Sequence, residues 1–185
     1  MPQSRTRKIV IAGVLGAISA LLGWTHWGYL PWISGASLTI MHIPVIIGAV
    51  LEGPIVGAAI GLIFGVSSLI QAAVAPTGPT DVWFTNPILS VLPRLFIGPV
   101  AWLVWTGLKR WPAVGLVITG IAGSFTNTIL VLAMIGVLGY VPWIALGPIA
   151  LANGLPEAGA AAILTLVIVA AWQQIEIGRK RGASI

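Results

Sequence analysis

The sequence has no cysteine and only four acidic residues among 185. Without cysteine there is no disulfide, no thiolate metal site and no cysteine nucleophile. Charge of either sign is scarce: charged residues make up 7% of the chain, where a soluble domain carries about a quarter. Such a chain cannot cover a surface that faces water, so lipid is its main solvent. Histidine occurs twice, as His26 and His42, and neither lies in a carboxylate cluster. That argues against a catalytic metal and against a Ser/His couple, and no metal site is expected. There is no G-x-x-x-x-G-K-[ST], no H-E-x-x-H and no G-x-S-x-G, so the chain does not itself hold ATP in a P-loop and is not read as an enzyme. No stretch is long or polar enough to form a soluble appendage, so residues 1–185 are read as a single membrane domain. The net charge of +5 is no sign of nucleic acid, because the positive residues sit at helix ends, where topology accounts for them.

What the chain does have is apolar sequence: 58% is hydrophobic and mean hydropathy is +1.04. A spanning helix needs about 20 mainly apolar residues. The expected fold is therefore all-α, a bundle of six membrane helices near 8–24, 38–51, 54–75, 87–108, 113–139 and 145–173. Breakers mark the joints at Pro31, Gly53-Pro54, Pro76 to Pro79, Pro112 and Pro142. The first helix follows Arg5, Arg7 and Lys8 in the manner of a signal peptide, with Ser34-Gly35-Ala36 as a cleavage site. The apolar run breaks at Gly23, however, and four aromatic residues follow by Trp32, so the segment is retained as helix one.

Eight of the nine positive residues fall at Arg5/Arg7/Lys8, Lys109/Arg110 and Arg179/Lys180/Arg181. With six spans all three groups lie on one side, and the positive-inside rule makes that side cytoplasmic. Both termini are then cytoplasmic, and segments 24–37, 76–86 and 140–144 face outward. Trp24, Trp27, Trp32, Trp83 and Trp143 mark the outer boundary, Trp111 and Trp172 the inner one, as in an aromatic belt. The cluster at 24–32 is denser than a belt requires, which makes Trp32 a candidate ligand cover. Segments 24–37 and 76–86 suit a lid over an outward cavity as well as they suit ordinary surface loops.

Gly53, Gly57, Gly61 and Gly65 recur every four residues and cut a groove in which a second helix backbone can pack closely. Helix one carries a similar stripe in two registers, Ala12, Gly16 and Ala20 or Gly13 and Ala17. It is read either as internal packing or as a docking face for a partner subunit. Polar side chains inside a membrane are costly and are functional candidates by default. By the helical rise, Arg94 lies about 10 Å below the outer end of helix four and Glu157 about 18 Å down helix six. Asn153 is one turn above Glu157, and Asn127 lies between Thr126 and Thr128 in helix five. Facing one another, these residues would form an outward polar pocket. Arg94 and Glu157 form either a helix-tying ion pair or a ligand site in which the guanidinium fork meets a carboxylate. Asn127 and Asn153 read as ligand contacts or as interhelical glue. His42 and Gln71 are further candidates at the outer end. Asn86, before Pro87, is either a ligand contact or a helix cap. Glu52 falls at the inner turn with no ligand role.

Three motifs carry a resemblance: Leu38 to Pro54 followed by the glycine ladder, Asn86 to Arg94, and Thr126-Asn127-Thr128 with Asn153-Gly-Leu-Pro-Glu157. In order and spacing the chain from about 8 to 172 resembles the substrate-binding membrane subunits of energy-coupling factor transporters, most nearly the pantothenate-type members. The resemblance implies a six-helix subunit that binds a vitamin from outside. It implies partnership with a transmembrane coupling subunit and with two ATPase subunits, which use the ATP, and no cofactor in the chain itself. It also implies a prokaryotic cytoplasmic membrane, and docking of the coupling subunit on the small-residue stripe of helix one. Arg94 would take the vitamin carboxylate, with Asn127 and Asn153 on its polar chain. Two other readings stand beside it: a stand-alone proton-coupled secondary carrier, for which only Glu157 offers a proton site and no internal repeat is found, and a membrane enzyme.

Overall fold

A computed structural model describes residues 5–31, 37–76 and 78–173. The described chain is almost wholly helical. Helix α1 runs Arg5–Trp24, α2 Ile43–Glu52, α3 Pro54–Val74, α4 Pro87–Ser90, α5 Leu92–Leu108, α6 Pro112–Val137 and α7 Trp143–Gln173. A short hairpin, β1 (Tyr29–Pro31) and β2 (Ser37–Thr39), sits between α1 and α2 and pairs antiparallel with Tyr29 opposite Thr39. A 3₁₀ turn at Asp81–Thr85 precedes α4.

Two details depart from an uninterrupted six-helix reading. The second helix begins at Ile43, not at 38, because 37–39 are drawn into the hairpin. At ten residues α2 is about 15 Å long, half a bilayer, and nearly all of it is buried. The fourth helix breaks at Val91 into α4 and α5. Pro93 supplies the reason: it has no N–H to give the Leu89 carbonyl, and it disfavours helical geometry at the residue before it. Among the described residues, five segments are long and apolar enough to cross a membrane: α1, α3, α4–α5 together, α6 and α7.

Close approaches at glycine fix how the helices run. A Cβ on Gly57 would lie 2.8 Å from the Gly98 Cα, one on Gly61 would collide with the Arg94 carbonyl, and one on Gly65 would lie 2.8 Å from the Ser90 carbonyl oxygen. As one number rises the other falls, so α3 and α5 are antiparallel with their backbones in contact. The expected glycine groove is thus occupied by α4–α5. Gly53 does not belong to it. It lies at φ 100°, with open space around it, and makes the reversal from α2 to α3. That conformation suits glycine. Gly120 meets Ala161 and Gly136 meets Leu146, so α6 and α7 are also antiparallel. Gly16 meets Ile63 and Gly23 meets Gln71, so α1 and α3 run parallel.

This alternation brings the start of α1, the α2–α3 turn, the α5–α6 turn and the end of α7 to one end. An ion pair between Arg7 and Glu52, 2.8 Å apart, joins the first two directly. Arg5, Arg7, Lys8, Lys109 and Arg110 therefore share that end. The hairpin, the 3₁₀ turn and the α6–α7 turn cap the other. Trp27 and Trp143 are exposed there, and Trp111 and Trp172 at the basic end, as an aromatic belt requires. The main core forms around α2, where Val45, Ile46 and Ala49 pack against Ile60, Phe64, Ile97 and Leu116.

Candidate functional site

The capped end gathers most of the buried polar side chains. Arg94 projects from the first turn of α5 and is 5% exposed. Its local sequence accounts for its position: Pro93 leaves the Leu89 carbonyl without a helical donor, and the Arg94 guanidinium donates to that oxygen through Nη1. Two rings hold the guanidinium, with Cζ 5.4 Å from the centre of Phe64 and 5.1 Å from that of Phe84, both within cation–π range. Among the described residues Nε has no hydrogen-bond partner. The result is a fixed cation with a donor unused.

Glu157 does not pair with Arg94. Its Oε1 accepts from the Thr39 backbone N–H at 2.7 Å and from the Thr39 hydroxyl at 2.9 Å, and its Oε2 accepts from Thr128 at 3.3 Å. The carboxylate therefore ties the hairpin to α6 and α7. Gly154 permits this, because its missing side chain lets α7 approach Thr128 and Phe125. Tyr29, opposite Thr39 in the hairpin, is half-buried, and burial raises its hydroxyl above the usual range. The nearby Asp81 adds to that rise and Arg94 opposes it.

Three expected residues carry buried polar atoms that have no partner among the described residues. His42 is wholly buried at the head of α2, and among the described residues neither ring nitrogen has a partner. Asn127 is buried, Asn153 half-buried, and the Oδ1 of each has no partner among the described residues. Ser90 adds an unpaired hydroxyl one residue from Leu89. A buried polar atom without a partner costs about 1–3 kcal/mol, so each of these atoms would be stabilised by a polar group brought to it.

Other expected residues have structural work. Gln71 donates through Nε2 to the Gly23 carbonyl at 3.0 Å, closing the end of α1. Asn86 caps α4 by accepting from the Ile88 N–H at 3.0 Å. Glu52 is taken up by Arg7. Trp32 lies outside the described residues. Thr39, Phe64, Phe84 and Tyr29 were not among the sequence candidates. Of these, Phe64, one helical turn from Gly61 and next to Gly65 on the ladder, and Tyr29, inside the aromatic cluster at 24–32, had a sequence signal. Thr39 meets Glu157 across 118 positions, which no local pattern reveals.

Helix α1 resolves its two small-residue registers. Gly16 is buried against Ile63, and Ala12 and Ala20 are half-buried. Gly13 has nothing within 4 Å of a Cβ, and Ala17 is exposed. Gly13 and Ala17 lie in a lipid-facing stripe with Val10, Val14, Ile18 and Leu21, all exposed.

Comparison with known proteins agrees with this architecture. Residues 7–169 match the family described as the substrate-specific component of the ECF transporter. The chain belongs to that family. It is accordingly a multi-pass membrane component of a transporter and not an enzyme. A pantothenic acid transporter, PanT, of Lactococcus lactis subsp. cremoris (strain MG1363) is 29% identical over 92% of this chain and 96% of its own length. A pantothenate transporter, PanT, of Leuconostoc mesenteroides subsp. mesenteroides is 32% identical over 76% of this chain and 72% of its own.

Proposed function

We propose that this substrate-specific component binds pantothenate at the capped end of the bundle. Arg94 takes the carboxylate, and His42, Asn127 and Asn153 receive the amide and hydroxyl groups. The observation that carries the reading is the held but incompletely used Arg94 guanidinium among unpaired buried polar atoms, in a chain related to two pantothenate transporters. Pantothenate is a small carboxylate with an amide and two hydroxyls, and this donor and acceptor set matches it in kind. Glu157 holds the hairpin over the ligand through Thr39. Gln71 and Asn86 support the site by closing helix ends, without touching the ligand.

In this reading the chain acts as one six-span domain, with the short α2 as the second crossing. The basic end and both termini are cytoplasmic, as the charge bias favours, and the membrane is a prokaryotic cytoplasmic membrane. The exposed Gly13–Ala17 stripe docks a transmembrane coupling subunit, and two ATPase subunits drive release. ATP is used by those partners, and the chain needs no cofactor of its own.

Uptake into proteoliposomes tests the coupled reading. Labelled pantothenate should enter vesicles only when the chain, the coupling subunit, both ATPases and ATP are all present. Uptake by the chain alone under a proton gradient would make it a secondary carrier instead.

A further inference from the structure

A second site lies at the opposite, basic end. A groove of about 290 Å³ opens between the first turns of α1 and the α2–α3 turn. Ile9, Ala12, Ile55 and Ala59 form its apolar walls, and Arg5 and Lys8 stand at its mouth. The one acidic lining residue, Glu52, has no exposed side chain and is held by Arg7 at 2.8 Å. Arg5 and Lys8 are exposed, and among the described residues neither forms an ion pair. The mouth is therefore net positive over an apolar cleft. Ile9 and Ile55 are 64% and 83% exposed, which places the walls toward the bilayer. The change from Lys8 to Ile9 sets the mouth where hydrocarbon gives way to headgroups.

We propose that this groove binds one anionic phospholipid, its phosphate on Arg5 and Lys8 and an acyl chain along Ile9, Ala12, Ile55 and Ala59. A soluble anion would use the two cations and leave the apolar walls unused. An apolar protein surface would use the walls and bury two unmatched charges. Only an anionic amphiphile satisfies both, and basic pockets between helices at the cytoplasmic face suit such headgroups. This site is separate from the vitamin site and does not depend on which ligand the latter takes.

Native mass spectrometry of the purified chain, released from micelles with equal phosphatidylglycerol and phosphatidylcholine, tests the proposal. Phosphatidylglycerol should be retained on the order of tenfold over phosphatidylcholine, the scale expected for two interfacial cations. Arg5→Gln with Lys8→Gln should abolish that preference, and Ala59→Trp, with both cations kept, should lower retention of either lipid. Thermal unfolding midpoints report whether each variant folds. The double variant, on an exposed turn, carries the test if Ala59→Trp does not. Equal retention of the two lipids by the parent chain, or an unchanged preference in the double variant, overturns the proposal. So does undiminished retention in a folded Ala59→Trp chain. If no lipid is retained but these variants lose capture by purified coupling subunit, the groove is a protein dock and the lipid assignment fails.

Discussion

Removing Arg94 tests the vitamin site most sharply. Its guanidinium is buried, within cation–π range of Phe64 and Phe84, and anchored to the Leu89 carbonyl. A hydrogen bond to a charged partner contributes about 1.5–3 kcal/mol. At about 1.4 kcal/mol per decade, Arg94→Ala should weaken pantothenate binding by about tenfold to about a hundredfold. The substitution also leaves the Leu89 carbonyl unpaired, so a fall in thermal stability is expected in either case and decides nothing. A second ligand separates the effects. The alcohol analogue, with CH₂OH in place of the carboxylate, should bind the parent chain more weakly than pantothenate does, and should lose little further affinity in Arg94→Ala. That comparison isolates the coupling between guanidinium and carboxylate. Arg94→Lys should fall between, since an ammonium keeps the charge but not the fork. Equilibrium binding to purified protein is the assay. Equal losses for acid and alcohol, or no loss for the acid, would refute the assignment.

Three further outcomes are expected. Glu157→Ala removes all three bonds that tie the hairpin to α6 and α7; pantothenate dissociation should quicken by at least about tenfold by rapid filtration, and Glu157→Gln, which keeps an acceptor oxygen, should do less. Ala17→Trp should leave binding intact and abolish uptake in the reconstituted transporter, whereas normal uptake would remove this face of α1 from the docking surface. Gly61→Ala forces a methyl against the Arg94 backbone and should cost about 1–3 kcal/mol, read as a lower thermal midpoint, while Gly13→Ala, in open space within α1, should not lower the midpoint, since alanine is the better helix former.

Signals that act over a helix or less were legible in the sequence. Apolar runs between proline and glycine breakers place the long helices within a few residues of their observed ends. The four-residue repeat from Gly57 to Gly65 announces a close helix contact, though not that α5 fills it. Gly53 falls on the same repeat yet makes a turn, because spacing does not reveal where Pro54 starts a new helix. The hairpin was missed because three-residue strands leave almost no periodicity, and because Thr39 is fixed by a carboxylate 118 positions away. The ion-pair alternative for Arg94 and Glu157 is not realised, for a related reason. Overlapping depth does not settle which way two side chains turn, and each found a nearer partner: Leu89 and two rings for Arg94, Thr39 and Thr128 for Glu157. The Pro93-Arg94 pair could have been read locally, since a proline frees the carbonyl that the next residue then meets. In α1, composition left both small-residue registers open, and only packing against Ile63 separates Gly16 from Gly13 and Ala17.

The most direct test of the central claim is equilibrium binding of tritiated pantothenate to the purified chain, without partners or ATP, against a panel of unlabelled vitamins. The account predicts tight binding that pantothenate alone displaces. No pantothenate binding, with a thermal shift by another vitamin, would contradict the substrate, and silence across the whole panel would contradict the site itself.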